Sequence, residues 1–270
     1  MKNKCLFCDK DFSIVKNSKE HILRKKNREL FGLNNTNTHF IRRTGDARST
    51  KLEERIYPLS PYEQTVSGIC NVCNNGWMND IDNNFEKLQC RLVKRLPVFA
   101  GDNEINKIKL WAYKTALVRM IMDKNCDVGI PHNHLKNLYK SKEPDDDVGI
   151  WLFNSHHPMD THTRHTWGKI EGDEYHQVTI SIGAMGVYII MHNAKAYPQL
   201  INDINLELIK TTRGNAIKIW PQGKSFVWPV SMERLSNHAA SEVSVTMERI
   251  LHSFDPLTVI MSLASYHNEK

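Results

Sequence analysis

Two Cys-x-x-Cys pairs, at positions 5–8 and 70–73, are the feature that most constrains how this chain of 270 residues can fold. A tight turn with this spacing lets two thiolates reach one metal ion, and two such pairs complete the four-sulfur shell typical of structural zinc. We therefore predict a structural Zn²⁺ ion bound by four side chains, those of Cys5, Cys8, Cys70 and Cys73. The ion would join a hairpin at residues 4–15 to a helix that follows Cys73.

The rest of the composition indicates a folded protein in a reducing compartment. The two other cysteines, Cys90 and Cys126, are isolated, so the six do not form the pattern of a disulfide framework. A membrane-spanning helix needs about 18 or more apolar residues in succession, and the sequence has no such run. The chain also starts without the apolar segment of a secretory signal. We therefore predict a cytoplasmic protein with no membrane partner.

Positive charge is concentrated in the first part of the chain. Residues 1–100 contain 18 Lys and Arg against 11 Asp and Glu, whereas residues 101–270 contain 18 against 19. Clustered positive charge favours a polyanionic partner such as nucleic acid, although an ordinary solvated basic surface would have the same composition. The candidate phosphate contacts are Arg24, Lys25, Lys26, Arg28, Arg42 and Arg43.

The first 100 residues are predicted to form one zinc-bearing module. Residues 16–66 are polar and lack strong periodicity, so we expect irregular surface structure there, with one short helix near residues 25–31. From Asn74 onward, apolar residues recur every three or four positions as far as Leu96. This period predicts a helix that ends at Pro97.

Residues 101–270 are predicted to form a separate mixed α+β domain for binding, dimerisation or regulation. The predicted helices are 105–122, 196–206 and 241–254, and the predicted strands are 149–153, 163–170, 176–182, 186–192, 216–220 and 225–230. The last two strands flank Pro221-Gln222-Gly223, which favours a hairpin. The predicted fold class of the whole chain is therefore α+β.

Two polar segments of this second domain allow a sharper and a plainer interpretation. Four histidines fall between His156 and His165, a density that suits a transition metal, and residues 145–147 are three aspartates that could bind a cation. Neither segment has the ligand spacing of a known site. Solvated loops are therefore the plainer interpretation of both, and the role of the histidine-rich segment is left open.

The region between the two cysteine pairs carries a further motif. It contains Ser18-Lys19-Glu20-His21-Ile22, and the second cysteine pair runs directly into Asn74-Asn75-Gly76-Trp77-Met78. This order resembles the HNH endonuclease superfamily in its zinc-stapled treble-clef form, also described as a ββα-metal module. The stretch Trp111-Ala112-Tyr113-Lys114-Thr115 is similar to one found in some members. We expect it on the buried face of a helix, with Lys114 exposed towards the nuclease module.

The resemblance implies a metal-dependent endonuclease that hydrolyses phosphodiester bonds of DNA, with RNA as an open alternative. In such enzymes a histidine at a strand end takes a proton from water, while a neighbouring acid and a polar residue early in the next helix hold a divalent ion. By position, His21 is the expected general base, and Glu20 and Asn74 are the expected catalytic residues that hold the metal. Because both would offer oxygen, the expected ion is Mg²⁺ or Mn²⁺.

Family analogy extends this expectation to defence against phage or other foreign DNA, and a regulatory protein partner or a homodimer is compatible with the sequence. Three positions depart from the family pattern, and one of them is Asn74, which stands where many members have the last histidine of the motif. Arg24 stands where related sequences often have proline, and the middle asparagine of the motif has no clear counterpart near Thr65 or Ser67. The alternative hypothesis is therefore a catalytically inactive zinc treble clef that binds nucleic acid or acts as an adaptor.

Overall fold

A computed structural model describes most of the chain. The described residues are 3–31, 38–46, 49–57, 61–123, 131–155, 161–170, 173–192, 199–230, 242–243, 245–247 and 259–266. Cys126, His156, His157 and most of the helix predicted at 241–254 lie outside these ranges.

Two short strands bring the cysteine pairs together. Strand β1 (Asn17–His21) pairs in antiparallel fashion with strand β4 (Thr65–Cys70), so that Asn17 lies opposite Cys70 and His21 lies opposite Thr65. The register shifts between Ser18 and Glu20. Before β1, Lys4 and Asp11 form an isolated antiparallel bridge, which is the turn expected around the first cysteine pair.

A helical segment follows β4 without a loop. It consists of α2 (Asn71–Cys73), one π-helical turn (Asn74–Met78) and α3 (Asn79–Val93), with a kink at Gly76, where φ is −92° and ψ is −118°. Four residues separate the end of this helix at Val93 from the first strand of the next unit, and they include Pro97. The prediction of a helix from apolar periodicity in this region is confirmed.

Residues 16–66 contain more regular structure than their sequence indicates. Helix α1 (Asn27–Phe31) confirms the short helix, but strands β2 (Thr38–Asp46) and β3 (Ser49–Tyr57) form an antiparallel hairpin where irregular structure was expected. The expectation was wrong because it considered only local periodicity. β2 gains its second row of backbone hydrogen bonds from strand β12 (Val259–Tyr266), at the opposite end of the described chain.

One large antiparallel sheet contains that hairpin and most of the remaining strands. The strand order is β10-β6-β9-β8-β7-β12-β2-β3. Its central strands are those predicted from the sequence. Three of them are slightly longer than predicted, namely β6 (Val148–Asn154), β7 (Thr161–Ile170) and β8 (Asp173–Ile182), and β9 (Met185–Met191) starts and ends one residue earlier. Every residue of β6 and β9 is buried, as expected for strands covered on both faces.

Helix α4 (Asp102–Ile121) is the central helix of the fold. Thirteen of its twenty residues are buried, because it packs between α3 on one side and the large sheet on the other. The ring of Trp111 lies 5.0 Å from that of Phe85 in α3. The helix predicted at 105–122 is thus confirmed, and its burial on several faces fixes the distance between α3 and the sheet.

The end of the described chain departs from the sequence prediction in two places. Strand β10 (Ala216–Trp220) pairs with β6, and β11 (Phe226–Trp228) pairs with β5 (Val98–Ala100), so the predicted hairpin between 216–220 and 225–230 is wrong. Trp228 explains the difference, because its ring is completely buried and its Nε1 donates to the carbonyl of Leu92 at 3.2 Å.

Two further helices beyond residue 100 are α5 (His132–Ser141) and α6 (Leu200–Thr211), and the described residues 242–243 and 245–247, within the helix predicted at 241–254, are also helical. The sequence predicted the second of them at 196–206, so the helix starts and ends later than expected. The structure confirms a mixed α+β fold. The division into units at residue 100 stays a prediction, and strands β2 and β3 from the first 100 residues belong to the same sheet as β6–β10. Among the described helices, none is both long and apolar enough to cross a membrane.

Candidate active site

The four cysteines predicted to bind a metal lie together. Their Sγ atoms are all within 4.8 Å of one another, with Cys5 and Cys73 separated by 4.0 Å and Cys8 and Cys70 by 3.7 Å. All four are free thiols, and three are buried. This arrangement is near enough to hold a metal ion such as zinc, since four sulfur donors can surround a tetrahedral ion.

Backbone groups hold the cysteine cluster in place. The N–H of Cys5 donates to the carbonyl of Lys10 at 2.9 Å across a turn in which Asp9 has φ of 59°. The N–H groups of Cys70 and Cys73 donate to sulfur atoms, those of Cys5 and Cys70, at 3.4 Å each. N–H donors directed at sulfur stabilise thiolates, which are the form that binds metal.

The thiols of the cluster compete for negative charge. Hydrogen bonding from Cys73 lowers the pKa of Cys5 to about 4, whereas burial raises the pKa of Cys8 to about 11. The hydrogen bond to Cys5 raises the pKa of Cys73 as well. Four thiolates this close repel one another. Without a cation, the protein therefore stabilises the thiolate form of Cys5 and disfavours that of Cys8 and Cys73. A bound cation would remove that restriction.

A small cavity of about 130 Å³ lies beside the start of the helical segment. It is lined by side chains from the end of β1 and from the first turns after the second cysteine pair, namely Glu20, His21, Arg24, Asn74, Asn75, Asn79 and Asp82. The three residues predicted to be catalytic therefore share one cavity. His21 is the last residue of β1, where the pleat ends, so it and its neighbour Glu20 can both face the same space.

Lys114 of helix α4 connects two of the acids at this cavity. Its Nζ donates to Asp82 Oδ1 at 2.7 Å and lies 3.7 Å from Glu20 Oε1, and the lysine side chain is only 2% exposed. The expectation that Lys114 is exposed was wrong. A buried ammonium needs anionic partners, and the packing of α4 against α3 places Asp82 and Glu20 within its reach.

Glu20 is the acid whose protonation is most affected by the fold. Burial raises its pKa to about 7, against the opposing effect of the Lys114 ammonium, while the nearby Asp82 carboxylate acts in the same direction as burial. A carboxyl group with this pKa is partly protonated at neutral pH. A divalent cation at the cavity would favour the carboxylate form and displace that proton.

His21, the residue expected to be the general base, is held by a backbone contact. Its imidazole is half-buried and hydrogen-bonds to the backbone of Tyr62, and burial lowers its pKa. Nδ1 is buried and has no hydrogen-bond partner among the described residues. The Tyr62 contact therefore fixes the ring through its other nitrogen and leaves a basic nitrogen unpaired. Tyr62 thus supplies a backbone contact that the sequence did not assign to any residue.

Asn74 is anchored to β1 through its amide nitrogen. Nδ2 donates to Ser18 Oγ at 3.0 Å and to the carbonyl of Lys19 at 3.1 Å, and Ser18 Oγ in turn donates to the carbonyl of Ile69 at 3.1 Å. The amide oxygen is therefore the atom left for a cation. Glu20 and Asp82, which line the same cavity, also carry side-chain oxygen atoms.

Several of the predicted nucleic-acid contacts make ion pairs within the protein. Arg24 donates to Asn79 Oδ1 at 2.8 Å and to Asn83 Oδ1 at 2.7 Å, and it forms an ion pair with Glu86 at 3.3 Å. Lys26 also forms an ion pair with Glu86. Arginine has five donors, so Arg24 can keep these contacts and still face the cavity that it lines.

The other candidate phosphate contacts are Lys25, Arg28, Arg42 and Arg43. Lys25 is exposed and lies 4.0 Å from Glu63, and Arg28 is half-buried at the start of α1. Arg42 and Arg43 lie on β2, and their side chains are outside the described part of the structure. Nucleic-acid contact by these residues stays a prediction.

Asp82 and Lys114 are the two residues of this site whose importance the sequence did not show. Asp82 lies eight positions after Asn74, in the first turn of α3, where a helix N-terminus favours negative charge in any case. Lys114 lay in the stretch that is similar to one in related sequences, which was the available signal. Their meeting depends on how α3 packs against α4, and a single sequence does not show that packing.

Comparisons of the chain with protein-family models, with curated proteins and with solved structures gave no match. The resemblance to HNH endonucleases is therefore a hypothesis that depends on the motif residues and on the geometry described above.

Proposed function

We propose that this protein is a metal-dependent endonuclease that hydrolyses phosphodiester bonds of DNA, with a ββα-metal module of the treble-clef type stapled by a structural Zn²⁺ ion. The observation that carries the proposal is that His21, whose Nδ1 has no hydrogen-bond partner among the described residues, lines one cavity together with Glu20 and Asn74. A buried basic nitrogen without a partner costs stability, and a catalytic role would explain why the fold retains it.

In the proposed reaction His21 accepts a proton at Nδ1 from the attacking water. The water oxygen bonds to phosphorus, the bond from phosphorus to the leaving strand oxygen breaks, and that oxygen then takes up a proton from solvent. The contact with Tyr62 orients the imidazole, and its lowered pKa keeps it unprotonated at neutral pH. An oriented and unprotonated imidazole is the form of His21 that can accept the proton.

Glu20 and Asn74 would hold the catalytic Mg²⁺ or Mn²⁺ ion, with Asp82 as a further oxygen donor. When bound, such an ion stabilises the negative charge that develops on the phosphate and on the leaving oxygen. The exposed Lys25 and the half-buried Arg24 and Arg28 would contact backbone phosphates beside the cavity. Regulation by a partner protein and a role in defence against foreign DNA are part of the same proposal and rest on family analogy.

One observation favours the alternative of an inactive zinc module that binds nucleic acid or acts as an adaptor. The Lys114 ammonium already pairs with both Asp82 and Glu20, as it would in a purely structural ion-pair network. In that case the two carboxylates have no need of a cation. The two hypotheses differ in whether the protein cleaves nucleic acid.

Cleavage of supercoiled plasmid by the zinc-loaded protein tests the proposal. We expect nicking with added Mg²⁺ or Mn²⁺ but not when both ions are omitted from protein that has been dialysed free of them and has kept its zinc, and a loss of about 100-fold or more for His21→Ala. Glu20→Gln should also lose activity, while Glu29→Gln, the same change at an exposed site on α1, should not.

Single-stranded and duplex RNA serve as parallel substrates, and preferential cleavage of RNA would reassign the substrate without changing the chemistry. Cleavage that survives His21→Ala, or no cleavage of any substrate by folded, zinc-loaded protein, would reject the nuclease. Gel-shift binding of the same nucleic acids would then test the binding module.

A further inference from the structure

A second cavity, which we call the α3 groove, lies further along helix α3 than the candidate active site. It has a volume of about 510 Å³ and is lined by side chains of α3, of strand β5 and of the first turns of α4. One row of α3 residues at i, i+4 spacing connects the two cavities. In this row Asn79 lines the active-site cavity, while Asn83, Lys87 and Arg91 line the groove.

Arg24 shows that the two cavities adjoin. Its side chain lines the active-site cavity and donates both to Asn79 Oδ1 and to Asn83 Oδ1, at 2.8 and 2.7 Å. A helix rises 1.5 Å per residue, so Lys87 and Arg91 lie about 12 and 18 Å beyond Asn79 along α3. A nucleic-acid strand advances by about 3.4 Å per nucleotide, so a strand that follows α3 from the active site would reach both residues within about five nucleotides.

Positive charge predominates in the groove. Lys87 and Arg91 line it from α3, and Lys107 lines it from α4, whereas Glu104 is the single acid among the described residues of the lining. The Glu104 carboxylate accepts a backbone N–H at the start of α4 at 3.3 Å. Neither Lys87 nor Lys107 forms an ion pair with another described residue. Arg91 donates to the carbonyl of Pro97 and keeps its other donors for a further acceptor.

An aromatic ring is exposed in the same groove. Strand β5 has its first and last residues, Val98 and Ala100, in the core, so the alternation of the strand directs Phe99 outwards. Phe99 lines the groove and is 71% exposed. A solvent-facing position between two core residues needs no phenylalanine for packing. The ring is therefore available to a ligand.

The charges distinguish between two kinds of ligand for this surface. Leu96 and Val227, near Phe99 in the sequence and in the β5–β11 ladder respectively, are also exposed, and an exposed apolar patch alone would fit a protein partner. Basic side chains that follow one groove beside an aromatic ring are instead the combination that binds single-stranded nucleic acid, in which phosphates pair with the cations and a base stacks on the ring.

We propose that the α3 groove binds a single-stranded segment of the substrate, with phosphates on Lys87, Arg91 and Lys107 and one unpaired base stacked on Phe99. The identity of the substrate rests on the proposed nuclease function. Bases in a duplex stack on one another, so Phe99 can stack only on a base that is unpaired or flipped out. The preferred substrate would therefore carry an unpaired segment within about five nucleotides of the phosphate that is cleaved.

Nucleic-acid binding without Mg²⁺ or Mn²⁺ tests the groove separately from cleavage. A short labelled single strand and its matching duplex are titrated with the zinc-loaded full chain, and fluorescence anisotropy gives the affinity. Phe99→Leu keeps an apolar side chain but removes the ring, so we expect a loss of about fivefold or more for the single strand and none for the duplex. Phe99→Trp should retain the affinity, and so should Val227→Ala, at the exposed position opposite Phe99.

The salt dependence of the same titrations tests the phosphate contacts. Lys87→Gln and Lys107→Gln should each make the slope of log affinity against log salt concentration shallower by about 0.7 for the single strand. Phe99→Leu should leave this slope unchanged, because the ring carries no charge. Lys140→Gln is the matched control, since it removes an exposed lysine of α5 that lines neither cavity.

Three results would overturn the proposal: wild-type affinity of Phe99→Leu for the single strand, equal losses for single strand and duplex, or an unchanged salt slope in both lysine variants. Should Phe99→Leu unfold, the lysine variants provide the test. Absence of nucleic-acid binding by the folded wild type would also overturn it and would favour a protein partner for the patch. Phe99-dependent binding without cleavage of any substrate would reject the nuclease and keep the groove, whereas cleavage with unchanged binding in every variant would reject the groove alone.

Discussion

Lys114 Nζ lies 2.7 Å from Asp82 Oδ1, an ion pair that joins helix α4 to helix α3 at the edge of the candidate active site. The lysine is 2% exposed, and it also faces Glu20. The two carboxylates thus share one buried cation. The stability of the first 100 residues and the charge of the cavity are therefore linked through a residue that lies beyond them in the sequence, on α4.

Replacement of Lys114 by methionine should destabilise the protein strongly. The change leaves Asp82 and Glu20 with a buried negative charge that no ammonium compensates, which costs about 3–5 kcal/mol in comparable cases. Urea unfolding followed by circular dichroism gives the free energy of unfolding. Lys107→Met, on the same helix but half-exposed, removes the same charge and should change it by no more than about 0.5 kcal/mol. Equal effects of the two substitutions would contradict a specific role for Lys114.

Asn74→Asp should lower stability although it introduces a stronger metal ligand. The new carboxylate cannot donate to the carbonyl of Lys19, which Asn74 contacts at 3.1 Å, so two acceptors would face each other. Loss of a donor at such a position costs about 1–3 kcal/mol. Asn75→Asp is the matched control, because it makes the same chemical change one residue later, at a side chain that is exposed. If chemical denaturation shows the same midpoint for both variants, the hydrogen bonds of Asn74 to β1 do not contribute to the stability of the protein.

Substitution of one cluster cysteine should remove the structural metal. In Cys73→Ser the metal loses one of four sulfur ligands, and we expect both loss of bound zinc and a fall of several degrees or more in melting temperature, because metal binding is coupled to folding. Cys90→Ser changes a thiol outside the cluster and should retain zinc and stability. Zinc content by mass spectrometry and thermal scans provide both quantities. A Cys73→Ser protein with full zinc content would exclude a four-cysteine site.

Stability should fall as the pH drops below 6.5, through the buried pair His165 and His176. Burial lowers the pKa of both imidazoles below 6.5, so under these conditions the unfolded chain binds protons that the folded protein does not. Each such proton lowers the free energy of unfolding by about 1.4 kcal/mol per pH unit, and the loss continues down to the folded-state pKa.

The contribution of one of these histidines is the difference between the wild type and His176→Gln. Glu20 has the opposite effect on the pH dependence of stability. Because its pKa is raised from 4.5 to about 7, the folded protein holds a proton that the unfolded chain loses in this range, and the free energy of unfolding falls as the pH rises from 4.5 to 7. The comparison of variants cancels that effect. Denaturation at pH 7.5 and pH 5.5 should show a shallower pH dependence for His176→Gln, and an unchanged slope would mean that His176 is not held neutral.

The parts of the fold that the sequence predicted are those that local patterns determine. The spacing of Cys5 and Cys8 and of Cys70 and Cys73 was enough to predict their meeting, because each pair can bind metal within one turn. The apolar period of α3 and α4 likewise predicted both helices. Strand β2 was missed because its sequence has no strand pattern of its own and depends on β12 for pairing.

The motif residues of the candidate site were predictable from the sequence, but their partners on other helices were not. Glu20, His21 and Asn74 are the motif residues, and the structure brings them to one cavity. Lys114 and Asp82 were not predicted as partners because a contact between two helices depends on their packing, which a single sequence does not encode in any short pattern. The contact between His165 and His176 could not be predicted for the same reason, since it depends on the register of β7 and β8.

The position of β12 between β7 and β2 has a consequence for the protein as it emerges from the ribosome. Until residues 259–266 have been synthesised, the hairpin of β2 and β3 has no neighbour in the sheet, and β7 has an open edge. Such edges are templates for pairing with other chains. A chain that stops before residue 259 would therefore expose the edges of both β2 and β7.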